Sequence, residues 1–310
     1  MTITDERVLV TGGAGFIGTH LVDRLLADGN DVVVVDNLSN GSRDRVSDDA
    51  EFVEADLTDP DALDGVLTDD IDLVVHLAAS KVVNVDDPHQ QFHDNTRMTT
   101  NLLEAMAEAG VDRIAYTSSS TVYGEAPRPT PEDYAPLEPI SAYGTSKLAD
   151  EGLLSVQAHS HDFTVWTFRF ANIVGSGLRG AVIPDFVEKL DENPETLTIL
   201  GDGRQEKSYM HVTDCVDAMV HVVANGDQPV NTYNLGTRTT TSVDRIAAIV
   251  ADEMDLDPEY EYTGGDRGWT GDVPKMRLSI EKLAALGWEP ELSSDEAVRR
   301  SARELIAELT

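Results

Sequence analysis

The sequence predicts an α/β protein whose parallel sheet is covered by helices on both faces. Apolar runs such as RVLVTG at 7–12 and DVVVVD at 31–36 alternate with segments of helical periodicity over the first 170 residues. Strands that are buried on both faces have this composition, because helices shield both sides of a parallel sheet. Regular alternation of strands and helices is typical of a doubly wound sheet.

The predicted elements follow one another in order. A helix is expected at 15–28, where apolar residues recur every three or four positions. After about residue 175 the elements shorten and acidic, Gly- and Pro-containing loops separate them, which predicts a smaller second lobe. The other expected elements are strands at 51–56, 71–78, 113–119 and 164–170, and helices at 60–68, 90–109 and 143–160.

The charge of the chain is strongly negative. Its 310 residues include 57 Asp and Glu but only 23 Lys and Arg, a formal net charge of −34. The acids are spread along the chain, so they do not form an acidic tail. Screening by salt relieves repulsion among surplus carboxylates. We therefore predict a halophilic, cytoplasmic protein that binds neither nucleic acid nor membranes; the N-terminus shows no secretory signal and the chain no membrane span.

A glycine triplet separates the first predicted strand from the first predicted helix. In VTGGAGFIG, the three residues Gly12, Gly15 and Gly18 permit a tight turn and a close approach of backbone N–H groups to a pyrophosphate. Asp36 ends the second strand, where a carboxylate accepts hydrogen bonds from ribose hydroxyls and repels a 2′-phosphate. These features predict NAD rather than NADP, although Arg43 is an alternative phosphate partner. Asp56 is either a helix N-cap or an adenine contact.

Tyr143 and Lys147 lie four residues apart in SAYGTSK, at the start of a predicted helix. Residues at this spacing share one face of a helix. The pair is either a solvated surface pair or a phenol whose ionised form is stabilised by the ammonium. No cluster of Cys and His predicts a metal site, and Cys215 is expected to be a buried apolar residue.

Five segments occur in the order and spacing of a known family. TGGAGFIG, DNLSNG, HLAA, SSSTVYG and YGTSK resemble those of extended short-chain dehydrogenases/reductases, and in particular nucleotide-sugar epimerases and dehydratases of the UDP-glucose 4-epimerase type. The similarity extends from about residue 6 to residue 290. It implies a Rossmann-type doubly wound parallel sheet with a smaller interleaved C-terminal substrate lobe. The implied NAD-binding domain is 1–174 with a return segment near 208–236, and the substrate lobe is 175–207 and 237–310.

The resemblance also implies residue roles. It assigns catalysis to Ser119, Tyr143 and Lys147, with Ser118 and Ser120 as alternatives to the serine, and it favours the catalytic interpretation of the Tyr–Lys pair. This sequence differs from many relatives at Lys207, a position where they have Arg. The implied cofactor residues are Gly12, Gly15, Phe16, Ile17, Gly18, Asp36, Asn37, Ser39, Asn40, Asp56, Leu57, Leu77, Ala78, Ala79, Lys81, Asn95, Tyr143, Lys147 and Phe170. The implied substrate residues are Ser119, Tyr143, Asn172, Val182, Lys207 and Arg267.

The expected activity is epimerisation at C4 of a UDP-sugar through a 4-keto intermediate, by a homodimer. A 4,6-dehydratase or decarboxylase that shares the first step is the alternative, and an NAD-sensing regulator without chemistry is the rival from another class. Dehydratase relatives carry an Asp-Glu pair where this chain has Ser120 and Thr121. Asn172 is either a substrate contact or an Asn that fixes a turn. Met276 lies near the position where relatives gate the sugar pocket.

Overall fold

Strands and helices alternate along most of the first half of the chain, as the sequence predicts. A computed structural model describes residues 3–81, 87–268 and 272–310. Its strands are β1 (Arg7–Thr11), β2 (Asp31–Asp36), β3 (Glu51–Glu54), β4 (Leu73–His76), β5 (Arg113–Ser119), β6 (Thr164–Phe170), β7 (Asn172–Val174), β8 (Thr196–Ile199), β9 (Glu206–Lys207), β10 (Tyr209–His211), β11 (Val230–Leu235), β12 (Thr241–Ser242), β13 (Glu259–Tyr262) and β14 (Lys275–Met276).

The α-helices cover the strands and complete the second lobe. Two short 3₁₀ helices, Arg43–Arg45 and Ser120–Tyr123, follow β2 and β5. The α-helices are α1 (Phe16–Ala27), α2 (Pro88–Ala109), α3 (Ala142–Ser160), α4 (Val182–Glu192), α5 (Val212–Asn225), α6 (Val243–Glu253), α7 (Glu281–Ala285) and α8 (Ser294–Leu309).

The main sheet has seven strands in the order β11-β6-β5-β4-β1-β2-β3. β1 pairs in parallel with both β2 and β4, so that Leu9 lies opposite Val33 on one side and Val74 on the other. The chain therefore changes direction across the sheet between β1 and β4. In doubly wound sheets, ligands bind at the carboxyl ends of the strands beside this point. The predicted fold class is confirmed.

The core of the Rossmann unit lies between the sheet and the paired helices α2 and α3. Leu9, Ile114 and Leu154 are fully buried there, together with Leu102 and Met106 of α2. Burial of one such side chain contributes about 1.5–3 kcal/mol to folding. This packing holds α3, which carries the SAYGTSK motif, against β5.

Local capping defines where α2 and α3 begin. Asp87 accepts hydrogen bonds from the backbone of His89 and Gln90, and Pro88 occupies the first helical turn. Ser141 accepts a hydrogen bond from the Gly144 N–H at 3.1 Å. Both caps satisfy N–H groups that a helix leaves free at its N-terminus. The beginning of α3 is therefore encoded in the motif itself.

The helix predicted at 60–68 is wrong, because this segment forms consecutive turns. The backbone N–H groups of Ala62 and Val66 bond to the carbonyls three residues earlier, at Asp59 and Leu63. Gly65 has φ of +70°, which ends any continuous right-handed helix at that point. The apolar periodicity that suggested a helix reflects burial of Leu63 and Leu67 against the sheet.

The chain divides into two compact units. The first contains 1–122, 141–169 and 219–233, and the second contains 123–140, 170–218 and 234–310. The second unit holds a parallel pair β7–β10, a parallel pair β8–β13 and the three-stranded sheet β12-β9-β14. Helices α4, α6 and α8 pack against one another in this unit. The domain limits implied by the resemblance stay a prediction.

Candidate active site

The turn between β1 and α1 is built for close backbone approach. Gly12 has φ of +70°, and a Cβ atom there would lie 2.6 Å from the backbone nitrogen of Ala78. A Cβ atom on Gly18 would lie 2.3 Å from the carbonyl oxygen of Gly12. Gly15 is the N-cap of α1 and has no side chain to cover the first N–H groups of the helix. An anion can therefore reach these N–H groups, as the glycine spacing predicts.

The carboxylate of Asp36 lies at the carboxyl end of β2 and is 9% exposed. One oxygen accepts a hydrogen bond from the Ala14 N–H at 3.0 Å, and the other accepts from the Leu38 N–H at 2.8 Å. Ser42 donates its N–H to the Ala14 carbonyl, which ties the loop after β2 to the glycine turn. Asp36 is therefore held beside the turn where the predicted ribose contact requires it.

Arg43, the alternative partner for a 2′-phosphate, is engaged elsewhere. Its guanidinium lies 5.0 Å from the centre of the Phe52 ring, donates to the Val46 carbonyl at 2.9 Å and lies 3.5 Å from Asp48. These contacts favour NAD over NADP. Asp56 accepts hydrogen bonds from the Thr58 N–H and hydroxyl, and these hydrogen bonds hold the pKa of this exposed carboxylate below its usual range. It caps a turn rather than a helix, and its adenine contact stays a prediction.

The segment after β4 runs along the same edge of the sheet. Leu77 and Ala78 donate their N–H groups to the carbonyl and hydroxyl oxygens of Thr11, at 3.0 and 3.4 Å. Asn95 of α2 is buried and exchanges two hydrogen bonds with the backbone of Ser80. Its amide also donates to the Ser146 hydroxyl at 3.0 Å. Asn95 thus ties this segment to α3, a structural role that its predicted cofactor role did not anticipate.

Ser118 and Ser119 end β5, Ser120 begins the 3₁₀ helix that follows, and contacts distinguish the first two serines. Ser118 is buried and donates its hydroxyl to Glu151 at 2.5 Å. Ser119 is partly buried, and its oxygen accepts hydrogen bonds from the N–H and hydroxyl of Thr121 at 3.2 and 3.0 Å. Ser118 is committed to the interior, so the structure favours Ser119 as the reactive hydroxyl.

Tyr143 and Lys147 lie in the first two turns of α3. Lys147 is only 2% exposed, and its ammonium lies 5.8 Å from the centre of the Tyr143 ring. It lies 4.6 Å from the centre of the Tyr116 ring, which belongs to β5. An ammonium over aromatic rings is attracted to them electrostatically. A buried ammonium does not fit a solvated helix face, so the geometry favours the catalytic alternative, which stays a prediction.

Burial is the main influence on the pKa values of the pair. Burial lowers the pKa of Lys147 to about 8, while the carboxylates of Asp150 and Glu151 raise it. Burial, and secondly Asp150, raises the pKa of the Tyr143 phenol above its usual value of about 10. The lowered phenol pKa that the sequence predicts depends on Lys147 together with the positive charge of NAD⁺. In the protein by itself burial and Asp150 raise this pKa, and a positively charged nicotinamide would lower it.

Sequence reasoning missed a polar cluster behind the Tyr–Lys pair. Glu151 forms a bidentate ion pair with Arg169 of β6, at 2.7 and 3.0 Å, and both side chains are nearly buried. Asp150 accepts a hydrogen bond from the Tyr116 hydroxyl at 2.8 Å. Burial lowers the pKa of His76 to about 3, so this ring is neutral between the hydroxyls of Thr11 and Thr99. The acids that follow Lys147 in SKLADE were the available signal.

The two predicted diphosphate cations both contact one residue of the second unit, Asp272. Lys207 forms an ion pair with Asp272, which is 4% exposed on its side chain. Arg267 donates to the backbone carbonyl of Asp272 at 2.5 Å and forms an ion pair with Glu125. The sequence paired neither cation with an acid, because Asp272 is 65 residues from Lys207 along the chain.

The remaining predicted substrate residues also lie in the second unit, as does Phe170. Asn172 begins β7 and donates its amide to the Ser208 carbonyl at 3.3 Å, and Val182 is the first residue of α4. Met276 is buried and lies opposite Lys207 in the parallel β9–β14 pair. His211 bonds to Thr213 and Glu304, contacts that fit a structural role. In the described ranges, no three Cys, His, Asp or Glu side chains are placed to hold a metal, and no helix could span a membrane.

The glycine turn and its neighbours fit a dinucleotide. At Gly12 and Gly18, backbone atoms occupy the space that a Cβ atom would need, so only glycine fits there. Asp36 lies beside this turn and is bonded to it through the Ala14 N–H. A doubly wound sheet with this turn, and with a Tyr–Lys pair on the helix after its fifth strand, defines the class of extended short-chain dehydrogenases/reductases.

Known proteins extend this class assignment to a family. A model of the NAD dependent epimerase/dehydratase family matches residues 8–236. The UDP-glucose 4-epimerase of Mycolicibacterium smegmatis is 36% identical over 312 residues, covering 95% of this chain and 97% of that protein. The chain therefore belongs to the NAD dependent epimerase/dehydratase family.

Solved structures agree with this membership. The crystal structure of a UDP-galactose 4-epimerase is 40% identical, with a TM-score of 0.90 and coverage of 98% of this chain and 100% of that one. The UDP-glucose 4-epimerase of Thermus thermophilus, solved in complex with NAD, is 33% identical, with a TM-score of 0.87 and coverage of 96% and 98%. The predicted family and the predicted cofactor, NAD, are confirmed.

Proposed function

We propose that this protein interconverts two UDP-sugars that differ in configuration at C4, either UDP-glucose and UDP-galactose or their N-acetylamino forms. The observation that carries this proposal is the Tyr143–Lys147 pair next to Tyr116, with Ser119 at the end of β5. The relatives whose names denote UDP-glucose or UDP-galactose 4-epimerases support the choice of substrate.

Bound NAD supplies a hydride acceptor, which the protein side chains by themselves do not provide. Tyr143, as the phenolate, takes the proton of the sugar 4-hydroxyl, and Lys147 stabilises the negative charge. Ser119 hydrogen-bonds the same oxygen. The 4-keto sugar then turns, and Tyr143 returns its proton to the oxygen when the hydride is returned to the other face of C4. A positioned acid–base group of this kind contributes about 10²–10⁴-fold to the rate.

The residues around Ser119 favour epimerisation over dehydration. Dehydration needs an acid for the departing 6-hydroxyl and a base for the C5 proton. Ser120 and Thr121 supply no carboxylate, and Thr121 donates its hydroxyl to Ser119. The carboxylates behind the site, Asp150 and Glu151, are already bound to Tyr116 and to Arg169. With no free carboxylate at these four positions, the residues favour return of the hydride to the keto sugar.

The second unit offers the charges for the nucleotide. We assign Lys207 and Arg267 to the diphosphate, which competes with Asp272 and Glu125 for these cations. Asn172 is assigned to a polar contact, Val182 to an apolar one. Lys207 keeps the positive charge of the Arg found in many relatives but cannot form the bidentate hydrogen bonds of a guanidinium.

The proposal is tested by the product. The pure protein is incubated with UDP-galactose and with UDP-N-acetylgalactosamine, in high KCl and without added NAD. We expect products of unchanged mass, with NMR showing an inverted configuration at C4. Loss of the mass of one water would establish the dehydratase alternative. Bound NAD without any conversion of either sugar would support the NAD-sensing regulator instead.

We further propose that the protein works in a salt-rich cytoplasm. The formal charge of −34 implies strong repulsion among surface carboxylates. Arginine clusters offset part of it, since Arg299 and Arg303 both bind Glu253. Such exposed pairs contribute little individually.

The melting temperature should consequently rise as KCl increases from about 0.01 M to about 1 M, where the screening length falls from roughly 30 to 3 Å. A rise of about 5 °C or more would correspond to roughly 2 kcal/mol, at about 2–4 °C per kcal/mol. Calorimetry over this series measures it, with sucrose of equal osmolality as the control. A flat series, or an equal rise in sucrose, would contradict salt adaptation.

We also propose that the protein is a homodimer, as the resemblance implies. On α3, Val156 and Leu153 are 55% and 38% exposed, beside a hollow of about 550 Å³ lined by Leu103, Ala107 and Phe163. A second copy would cover these apolar side chains. Light scattering should give twice the chain mass of 33.7 kDa; the monomer mass would refute the dimer.

A further inference from the structure

Asp150 is a buried carboxylate that the proposed chemistry does not use. It lies on α3, three residues after Lys147, and is 1% exposed. One carboxylate oxygen accepts the Tyr116 hydroxyl at 2.8 Å, and the other has no hydrogen-bond partner in the described part of the chain. A charged group is costly to bury unless another charge stabilises it. The position of Asp150 therefore calls for a functional reason.

The neighbouring carboxylate does not share this situation. Glu151 has both oxygens bound, since it receives two hydrogen bonds from Arg169 and one from Ser118. Its charge is balanced by the guanidinium. No guanidinium pairs with Asp150 in the described ranges. The cation that its charge can stabilise is therefore the ammonium of Lys147.

Tyr116 connects the two groups. Its ring faces the Lys147 ammonium at 4.6 Å, while its hydroxyl donates to Asp150. A phenol that donates to a carboxylate becomes more electron-rich, so its ring attracts a cation more strongly. The ammonium, the ring and the carboxylate thus form a chain from β5 to α3 inside one unit.

We propose that Asp150, acting through Tyr116 and by its own charge, is a positioning residue that keeps Lys147 protonated and seated beside Tyr143. The inference rests on the proposed catalytic roles of Tyr143 and Lys147. Asp150 touches neither substrate nor reacting atoms, and its effect is on the pH range over which the pair works.

The direction of the effect follows from the charges that face this carboxylate. Burial raises the pKa of Asp150 to about 6, although Lys147, the Tyr116 hydroxyl and the nearby Thr99 hydroxyl lower it, so it is an anion at neutral pH. As an anion it raises the pKa of Lys147, and Glu151 acts in the same direction.

The other groups nearby are few. The anion of Asp150 also raises the pKa of Tyr143, whereas Lys81 opposes protonation of Lys147. His76 is neutral and adds no charge. Removal of the Asp150 charge should thus lower the pKa of Tyr143 and the pKa of Lys147.

A direct test follows the titration of Lys147 in Asp150→Asn, which keeps an acceptor for Tyr116 and removes the charge. The chain has only six lysines, so lysine labelled with ¹³C at Cε gives six NMR signals, and Lys147→Met identifies the relevant one. The midpoint of this signal is expected to fall by about one pH unit, the usual effect of one nearby charge. Asp23→Asn, which removes an exposed carboxylate on α1, should leave it unchanged.

The epimerisation rate gives a second readout. The ratio of kcat/KM in Asp150→Asn to that of the wild type should be about tenfold lower above pH 8 than at pH 6, because the limb that depends on the Lys147 proton moves by about one unit. The lowered pKa of Tyr143 multiplies this ratio by one constant factor at every pH below that pKa. A residue that only supports the fold would lower the rate by the same factor at every pH. The proposal is overturned if this ratio does not change with pH and if the titration midpoint of Lys147 is the same in Asp150→Asn and in the wild type.

Tyr116→Phe keeps the test valid if Asp150→Asn fails to fold. This substitution preserves the ring next to Lys147 but removes the hydrogen bond that Asp150 accepts from the hydroxyl. The carboxyl group of Asp150 therefore stays protonated to higher pH. The rate ratio should therefore change between neutral pH and pH 8, the range in which Asp150 regains its charge in this variant, and a flat ratio contradicts the inference. If Tyr143→Phe is fully active, the proposed function fails instead, which separates the two failures.

Discussion

Replacement of Tyr143 by Phe is expected to lower the rate of epimerisation by about 10²–10⁴-fold, the usual value of a positioned acid–base group. The substitution removes the hydroxyl but keeps the ring, which lies 5.8 Å from the ammonium of Lys147. Folding, bound NAD and binding of the nucleotide sugar should therefore survive. The loss should appear in kcat, because the interaction is made in the transition state.

Steady-state kinetics with UDP-galactose measures this loss, and bound NAD is measured by absorbance after denaturation. Tyr262→Phe provides the matched control, since Tyr262 is 47% exposed on β13. It should retain the wild-type rate. Turnover at the wild-type level in Tyr143→Phe would return the Tyr–Lys pair to a structural role, and the catalytic assignment of Lys147 would be lost with it.

Gly18→Ala is expected to weaken NAD binding by about 10- to 100-fold. The added Cβ would lie 2.3 Å from the Gly12 carbonyl oxygen and 2.6 Å from the Cα of Gly13, so the turn must shift. Overpacking of this kind costs about 1–3 kcal/mol, and a tenfold change in affinity corresponds to about 1.4 kcal/mol. Because the contacts are backbone atoms, no side chain can move aside to relieve them.

Gly152→Ala is the matched control for this substitution. Gly152 lies on α3, and a Cβ atom there would have nothing within 4 Å. The Ala variant should bind NAD like the wild type and should be more stable by about 0.5–1 kcal/mol, because glycine is unfavourable inside a helix. Titration of protein freed of NAD measures both affinities. Equal NAD binding by Gly18→Ala and the wild type would contradict the assignment of the glycine turn.

Much of the fold was predictable because its signals are local. The glycine turn, the cap at Ser141 and the apolar strands β1 and β2 each depend on residues within a few positions of one another. The same holds for Asp36 at the end of β2. The one wrong helix, at 60–68, shows the limit, since buried leucines mimic helical periodicity where Gly65 breaks the backbone.

The sequence by itself thus determined the parallel sheet, the NAD turn and the identity of the Tyr–Lys pair. Only the tertiary structure decided the state of that pair, because it placed the ring of Tyr116 next to Lys147 and its hydroxyl on Asp150, 34 residues away, and removed water from all three. It likewise brought Lys207 to Asp272 across 65 residues. Helical and turn preferences act between near neighbours in the chain, whereas desolvation and ion pairing depend on which distant segments come together.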